Sequence, residues 1–349
     1  NKDEKRLLFK LLALLSITCY AFSTVGCAAT EIGNVTEQGG TPGLEYTSNG
    51  NSYSITGTGS ATDTEIVIPH TYKGKPVVGI GENAFRECLT VASITIPDSI
   101  TRIDANAFYG CENLTEITFG NGLCTVGGSA FSGCTNITNV YIADIAAWCS
   151  IEFANIRANP LSYASTAYLN DTPINNLTII ENVTSINDYA FYGYEGLESV
   201  TIGNAITAIG SHAFEQCRSL KEVTIGNSVT LIGQEAFRDC DNLSNINISE
   251  SVTNIMNAAF YNCESLSSIT IPQNVSYIGN GTFYNCDSLT DIYFESSSGW
   301  WVARHYLATS GTDISESELT DSKQASELLI DGSLYAFLIG NTIKQHINM

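Results

Sequence analysis

The stretch "AFYNCESLSSITIPQNVSYIGNGTFYNC", Ala259 to Cys286, opens and closes on nearly the same residues: Phe-Tyr-Asn-Cys returns after 23 positions. The same phenylalanine stands at Phe85, Phe108 and Phe131, then at Phe191, Phe214, Phe237, Phe260 and Phe283, every interval being 23 except one of 60. A cysteine follows three places later at Cys88, Cys111, Cys134, Cys217, Cys240, Cys263 and Cys286, with Tyr194 filling the slot once. An apolar column runs through Val91, Leu114, Ile137, Ile174, Leu197, Leu220, Leu243, Leu266 and Leu289. Its single odd interval, 37, is one lap of 23 plus 14 more, and the register recovers at once. The chain therefore makes nine laps, one of them enlarged. Fixed self-similarity at this period predicts a solenoid, in which each coil buries its apolar side only against its neighbours.

One lap, Leu220 to Ile232, reads "LKEVTIGNSVTLI". Leu220, Val223 and Ile225 alternate with Glu222 and Thr224, as a strand with one buried face requires. Gly226-Asn227 turns the chain, and Pro97-Asp98, Gly120-Asn121, Gly203-Asn204 and Pro272-Gln273 hold the same slot. Glycine tolerates positive φ and proline presets its own, so these pairs favour a turn. A second apolar pair, Val229 and Ile232, precedes "QEAFRDC", which is expected to form a short helical or 3₁₀ turn that sends Phe237 and Cys240 inward. Stacked laps should set equivalent strands side by side in a parallel sheet, about 4.7–4.9 Å apart.

This pattern resembles the BspA-like leucine-rich repeats of bacterial surface proteins, whose coil reads approximately LxxVTIPxxVTxIGxxAFxxC. The resemblance covers Ile66 to Phe294, with local departures at Gly281-Thr282, Met256 and Tyr194. It implies an α/β-type solenoid: a right-handed leucine-rich repeat coil stack with a parallel sheet, short strands and short helical turns. The expected organisation is a signal peptide of lipoprotein type over 1–29, a tether and N-terminal cap over 30–60, a solenoid over 61–295 with an enlarged coil at 144–177, and a C-terminal cap over 296–349.

The formal charge is −21, with 15 basic residues among 349. Such a surface argues against nucleic acid and anionic membranes, which call for Lys/Arg patches. Among the 11 cysteines, seven form the ladder. Neighbouring ladder positions fall within disulfide reach by Cα spacing, but their side chains should point inward in parallel. Buried thiols used as small apolar groups are the simpler account. There is no C-x₂-C pair, and His70, His212, His305 and His346 are far apart in sequence, so no metal or cofactor motif appears. Cys124 and Cys149 lie off the ladder.

The first thirty residues, "NKDEKRLLFKLLALLSITCYAFSTVGCAAT", join a basic start to an apolar run from Leu11 to about Phe22, the form of a secretory signal. Thr24-Val25-Gly26-Cys27 resembles a lipobox with Thr24 where Leu is usual. Cys27 is the expected lipidation site, and cleavage near Ala28 or Ala29 is the alternative. Within the enlarged lap, Ile145 to Cys149 suits a helical turn, and Ala167 to Ile174 suits a hairpin centred on Asn170-Asp171. Trp148 and Phe153 are expected to plug the interior. Trp300 and Trp301 are expected in the cap, and Ser317 to Leu329 as a short helix.

No H-E-x-x-H, G-x-S-x-G or P-loop occurs. No catalytic residues are assigned, and His212 is read as an exposed residue in a variable slot. What remains is an outward sheet face, on which Glu116, Thr118, Tyr141, Thr178, Thr201, Glu222, Thr224, Asn247, Thr270 and Tyr293 form the candidate binding surface. Threonine favours strands in any case, so this column also fits propensity alone. The resemblance implies a non-catalytic, exported adhesion protein that meets an extracellular protein or glycan, such as host matrix or a mucosal surface. Its membrane contact would be through a lipid anchor. A structural spacer or envelope-assembly component without a soluble ligand is the alternative.

Overall fold

The computed structural model describes residues 39–179 and 182–296, with three further strands at Trp300–Ala303, Thr312–Asp313 and Tyr335–Leu338. The leader with Cys27 and the helix expected from Ser317 to Leu329 lie outside the described residues.

Each coil has three sides. The leading side is a strand such as Glu222–Ile225, whose Val223 and Ile225 are buried while Glu222 and Thr224 face outward. Equivalent strands pair in parallel one lap apart, Val200 beside Val223 and Thr201 beside Thr224. A one-residue slip would turn every buried side chain outward, so the apolar alternation pins the register. The second side is a two-residue strand, Leu231–Ile232 in this lap, paired in parallel with Ala208–Ile209 and Asn254–Ile255.

The third side departs from the expectation. Among the described residues the segments around each repeat phenylalanine are chains of turns, and helix is confined to Ile145–Cys149 and the 3₁₀ piece Pro160–Ser162. The described residues thus form a parallel-sheet β-solenoid with almost no helix. The cause lies in backbone accounting. Ala84 N, Arg86 N and Cys88 N donate to carbonyls three places back in their own coil, whereas Asn83 N, Phe85 N and Glu87 N donate to Ala105, Ala107 and Tyr109 of the next. Half the donors leave the coil, so no helical ladder can close. Two positions per lap, flanking the phenylalanine, adopt positive φ; in one lap these are Glu235 (55°) and Asp239 (56°). A positive φ at the third residue is what a type II turn requires.

This geometry aims the phenylalanines inward as a stack. Phe214 and Phe237 lie 5.3 Å apart and tilted by 1°, and the other neighbouring pairs of the ladder are 5.1–5.7 Å apart. The cysteines beside them are free thiols, buried from Cys111 onward. They are more than small apolar groups. From Cys111 onward each donates to the phenylalanine carbonyl of the preceding coil, as Cys240 Sγ does to Phe214 O at 3.2 Å and Cys111 Sγ to Phe85 O at 2.9 Å. Burial holds the Cys217, Cys240 and Cys263 thiols well above their ordinary pKa, which keeps the proton that makes the bond. Threonines on the second side staple coils likewise, Thr230 Oγ1 to Thr207 O and Thr253 Oγ1 to Thr230 O.

The enlarged lap carries a strand that the repeat count of nine does not include. Thr166–Leu169 continues the leading sheet in register with Asn139–Ile142, and the chain then turns at Asn170 (φ 50°) and Asp171 (φ 60°) into antiparallel Thr172–Pro173. The expected hairpin and helical turn are both present. Asp144 caps the helix by accepting from Ala147 N at 2.8 Å. Trp148 (2% exposed) and Phe153 (5%) are buried in the interior of the enlarged coil, where their rings lie 5.5 Å apart and Trp148 meets Phe119 edge-on at 5.3 Å.

At one end, Glu45–Ser48 and Tyr53–Gly57 form a hairpin whose second strand pairs in parallel with Lys75–Ile80. Tyr46 stacks on Tyr72 at 3.9 Å there, and burial, with the Tyr72 charge, pushes its phenol up to about 12. At the other, Tyr335–Leu338 runs antiparallel to both Tyr277–Ile278 and Trp300–Ala303.

Candidate functional site

The outward column of the leading strands falls into three panels. Glu116, Thr118 and Tyr141 lie on the ladder that runs from Glu65–Val67 to Thr166–Leu169. Thr178, Thr201, Glu222, Thr224 and Asn247 share the ladder from Asn176–Ile179 to Asn245–Asn247. Thr270 and Tyr293 sit opposite one another on Ser268–Ile271 and Asp291–Phe294. The division after the first panel follows from the hairpin, which reverses the chain before Asn176 begins a new ladder. Thr178, Thr201, Glu222, Asn247, Thr270 and Tyr293 are exposed, whereas Glu116, Thr118, Tyr141 and Thr224 are half-buried.

Tyr168 belongs to this face and escapes the periodic reading, because it follows Tyr141 by one lap plus four places. Register places the two opposite one another, and their rings stack at 4.8 Å. The signal that could have found it is the alternation "TAYL", which matches "NVYI" at Asn139–Ile142. Neighbouring outward polar groups also bond to each other. Ser199 Oγ donates to Asn176 Oδ1 at 2.7 Å, and Asn245 Nδ2 to Glu222 Oε1 at 3.2 Å.

A second locus lies on the turn side, where the sequence alone suggests only an exposed histidine. His212 is half-buried, its side chain 18% exposed. Its slot, two before the phenylalanine, stacks coil on coil, so Tyr189 lies on one side of it and Glu235 on the other. The Tyr189 and His212 rings are 4.9 Å apart and nearly parallel. His212 Nδ1 lies 2.6 Å from Glu215 Oε2 and 3.8 Å from Glu235 Oε2. Arg238 Nη1 donates to Glu235 Oε2 at 2.7 Å, and its guanidinium lies over the Tyr261 ring at 4.7 Å. The hydrogen bond to Glu215 raises the His212 pKa although burial opposes it. Burial also works against charge on Glu235, but hydrogen bonds from Arg238 and Gln234 outweigh it and hold that carboxyl below its ordinary range. The signal was spatial: positions one lap apart become neighbours, so a His-x-x-Glu and a Glu one lap later converge.

A profile described as BspA type leucine rich repeat region matches six copies over residues 78–193 and 162–290, together more than half of the chain. Among solved structures, a leucine-rich repeat protein from Bacteroides ovatus superimposes with a TM-score of 0.54 at 22% identity, covering 73% of this chain and 70% of its own. A leucine rich cell surface protein from Faecalibacterium prausnitzii gives 0.38 at 21% identity, covering 74% and 94%. The pneumococcal vaccine antigen PcpA gives 0.39 at 16%, covering 73% and 86%. Comparison with curated proteins gives no match.

Proposed function

Because this chain belongs to the BspA-type leucine-rich repeat family, we propose that it is a non-catalytic binding module of a bacterial cell surface, exported by its leader and held there through a lipid on Cys27. It meets an extracellular protein or glycan through the outward columns of the leading sheet. One observation carries this reading: Thr178, Thr201 and Thr224 stand in register on consecutive strands. Side chains opposite one another on neighbouring strands are roughly 4.5–5.5 Å apart, a pitch at which one extended ligand can touch several at once. Repeat proteins commonly use extended sheet faces in this way.

The test is binding of the purified chain to an array of host proteins and glycans, repeated with Thr201→Lys and Thr224→Lys. Both positions lie on the second panel and point away from the core, so the fold should tolerate them. Loss of binding in both supports the reading, and binding that survives both sinks the assignment of this face. The hydrogen bonds between Ser199 and Asn176 and between Asn245 and Glu222 favour a second reading, a structural spacer whose outward groups satisfy one another. That reading expects no array hit and disturbed surface organisation on deletion.

A further inference from the structure

We propose that His212, Glu215 and Glu235 form a binding site for one divalent transition-metal ion of the zinc class, held between two neighbouring coils.

The three donor atoms lie within 4.8 Å of one another. An ion about 2.0–2.2 Å from each donor in tetrahedral geometry sets them roughly 3.3–3.6 Å apart. The His212–Glu215 distance of 2.6 Å must therefore open slightly, and the His212–Glu235 distance of 3.8 Å must close slightly. One imidazole with two carboxylates suits zinc or its neighbours in the first transition row. It does not suit calcium or magnesium, which take all-oxygen sets of six or more. Three protein donors leave a fourth position open.

Two features separate this cluster from an ordinary surface ion pair. First, its donors are pre-positioned. Glu215 is 7% exposed, and the Tyr189 ring holds the imidazole plane at 8°. Second, Arg238 stands behind both carboxylates as an outer-shell partner. Its Nη1 donates to Glu235 Oε2, while its Nε, buried and without a hydrogen-bond partner, lies between Asp239 Oδ2 at 3.5 Å and Glu215 Oε1 at 3.8 Å. A carboxylate oxygen has two lone-pair sites, so Glu235 Oε2 can meet an ion while still accepting from Arg238. Ligating carboxylates are generally secured by such second contacts. Asp188 and Asp239 add negative charge around the cluster. An ion would replace the proton between His212 and Glu215.

The experiment is titration of the whole chain with Co²⁺ alone, followed by visible and near-ultraviolet absorption. One equivalent should bind, with ligand-field bands of nitrogen and oxygen donors and without a thiolate charge-transfer band. His212→Asn and Glu235→Ser should each weaken binding by at least about tenfold, the lower figure for loss of an outer-shell partner alone. Both replacements are side chains that the fold already carries in this slot, at Asn106 and Ser129. Should either variant unfold, X-ray absorption of the Zn²⁺-loaded wild-type chain decides, with nitrogen and oxygen neighbours only expected. Absence of saturable binding, binding that both folded variants retain, or sulfur in the first shell would each overturn the site.

Discussion

Ala258 has φ 53°, in the slot that Asn83, Asn106 and Gly281 fill in other coils. A left-handed conformation crowds Cβ against the following carbonyl at roughly 1–2 kcal/mol, and only glycine, asparagine and aspartate relieve it readily. The solenoid imposes that conformation, since Ala258 N must reach Asn280 O in the next coil. Alanine is thus the strained choice, although it is the better helix former. Ala258→Asn is expected to raise stability by about 0.5–1 kcal/mol without glycine's entropic cost in the unfolded chain. Urea denaturation checks it: the midpoint should rise with the slope unchanged. A lower midpoint would mean that the slot is not strained. Thr282, where other laps carry alanine, shows the same local economy. Its hydroxyl donates to Gly279 O at 2.6 Å, with Met256 O a second acceptor at 3.2 Å, so the polar atom of a residue 2% exposed is satisfied in place.

At the scale of the element, Tyr194 accounts for the missing ladder cysteine. A thiol here would look for a phenylalanine carbonyl one lap and three places back, and the enlarged lap puts Tyr168 at that position. The longer phenol reaches past the insertion instead. Its hydroxyl donates to Ile174 O at 3.0 Å and accepts from Ala167 N at 2.9 Å, so it closes the base of the hairpin. Tyr194→Phe keeps the ring and strands two buried backbone groups, which should cost about 1–3 kcal/mol. Thermal melting gives the loss, and amide exchange at Ala167 should quicken more than at Val223. Equal quickening at both would remove Tyr194 from this role. The Phe, Cys and Leu columns, the alternating strands and the Asn170-Asp171 hairpin were all legible in the sequence, because each is local or strictly periodic. The turn side was not. "QEAFRDC" read alone suits a helix, and what forbids one is a row of acceptors in the next coil, which no single lap displays. For the same reason the meeting of His212, Glu215 and Glu235 stayed hidden, as did Tyr168 at its irregular spacing.

Along the whole array, stability is approximately a sum of coil terms and nearest-neighbour interfaces, so the weakest interface sets how the stack comes apart. Both sheets break within the enlarged coil. The leading ladder stops after Thr166–Leu169 and its hairpin, and the second stops after Glu152–Phe153 and resumes at Ser185–Ile186. Side chains carry the load there. Trp148 Nε1 donates to Ala190 O at 2.8 Å, Asn187 Nδ2 to Ser150 O at 2.9 Å, and Asn159 Nδ2 to both Tyr189 O and Ala190 O at 2.7 and 2.9 Å. Asn159 is fully buried, and its Oδ1 also accepts from Leu161 N. Asn159→Ala removes three bonds from a water-free site, and a buried group left unsatisfied costs about 1–3 kcal/mol. Because that loss falls on the interface and not within either run of coils, it should weaken their coupling more than their cores. Hydrogen exchange in graded urea is then expected to show one transition for the wild-type chain. The variant should show two, with peptides from 93–153 and from 199–294 losing protection at different concentrations. Coincident loss in the variant would place the weak interface elsewhere in the stack and make the enlarged coil as cohesive as the regular ones.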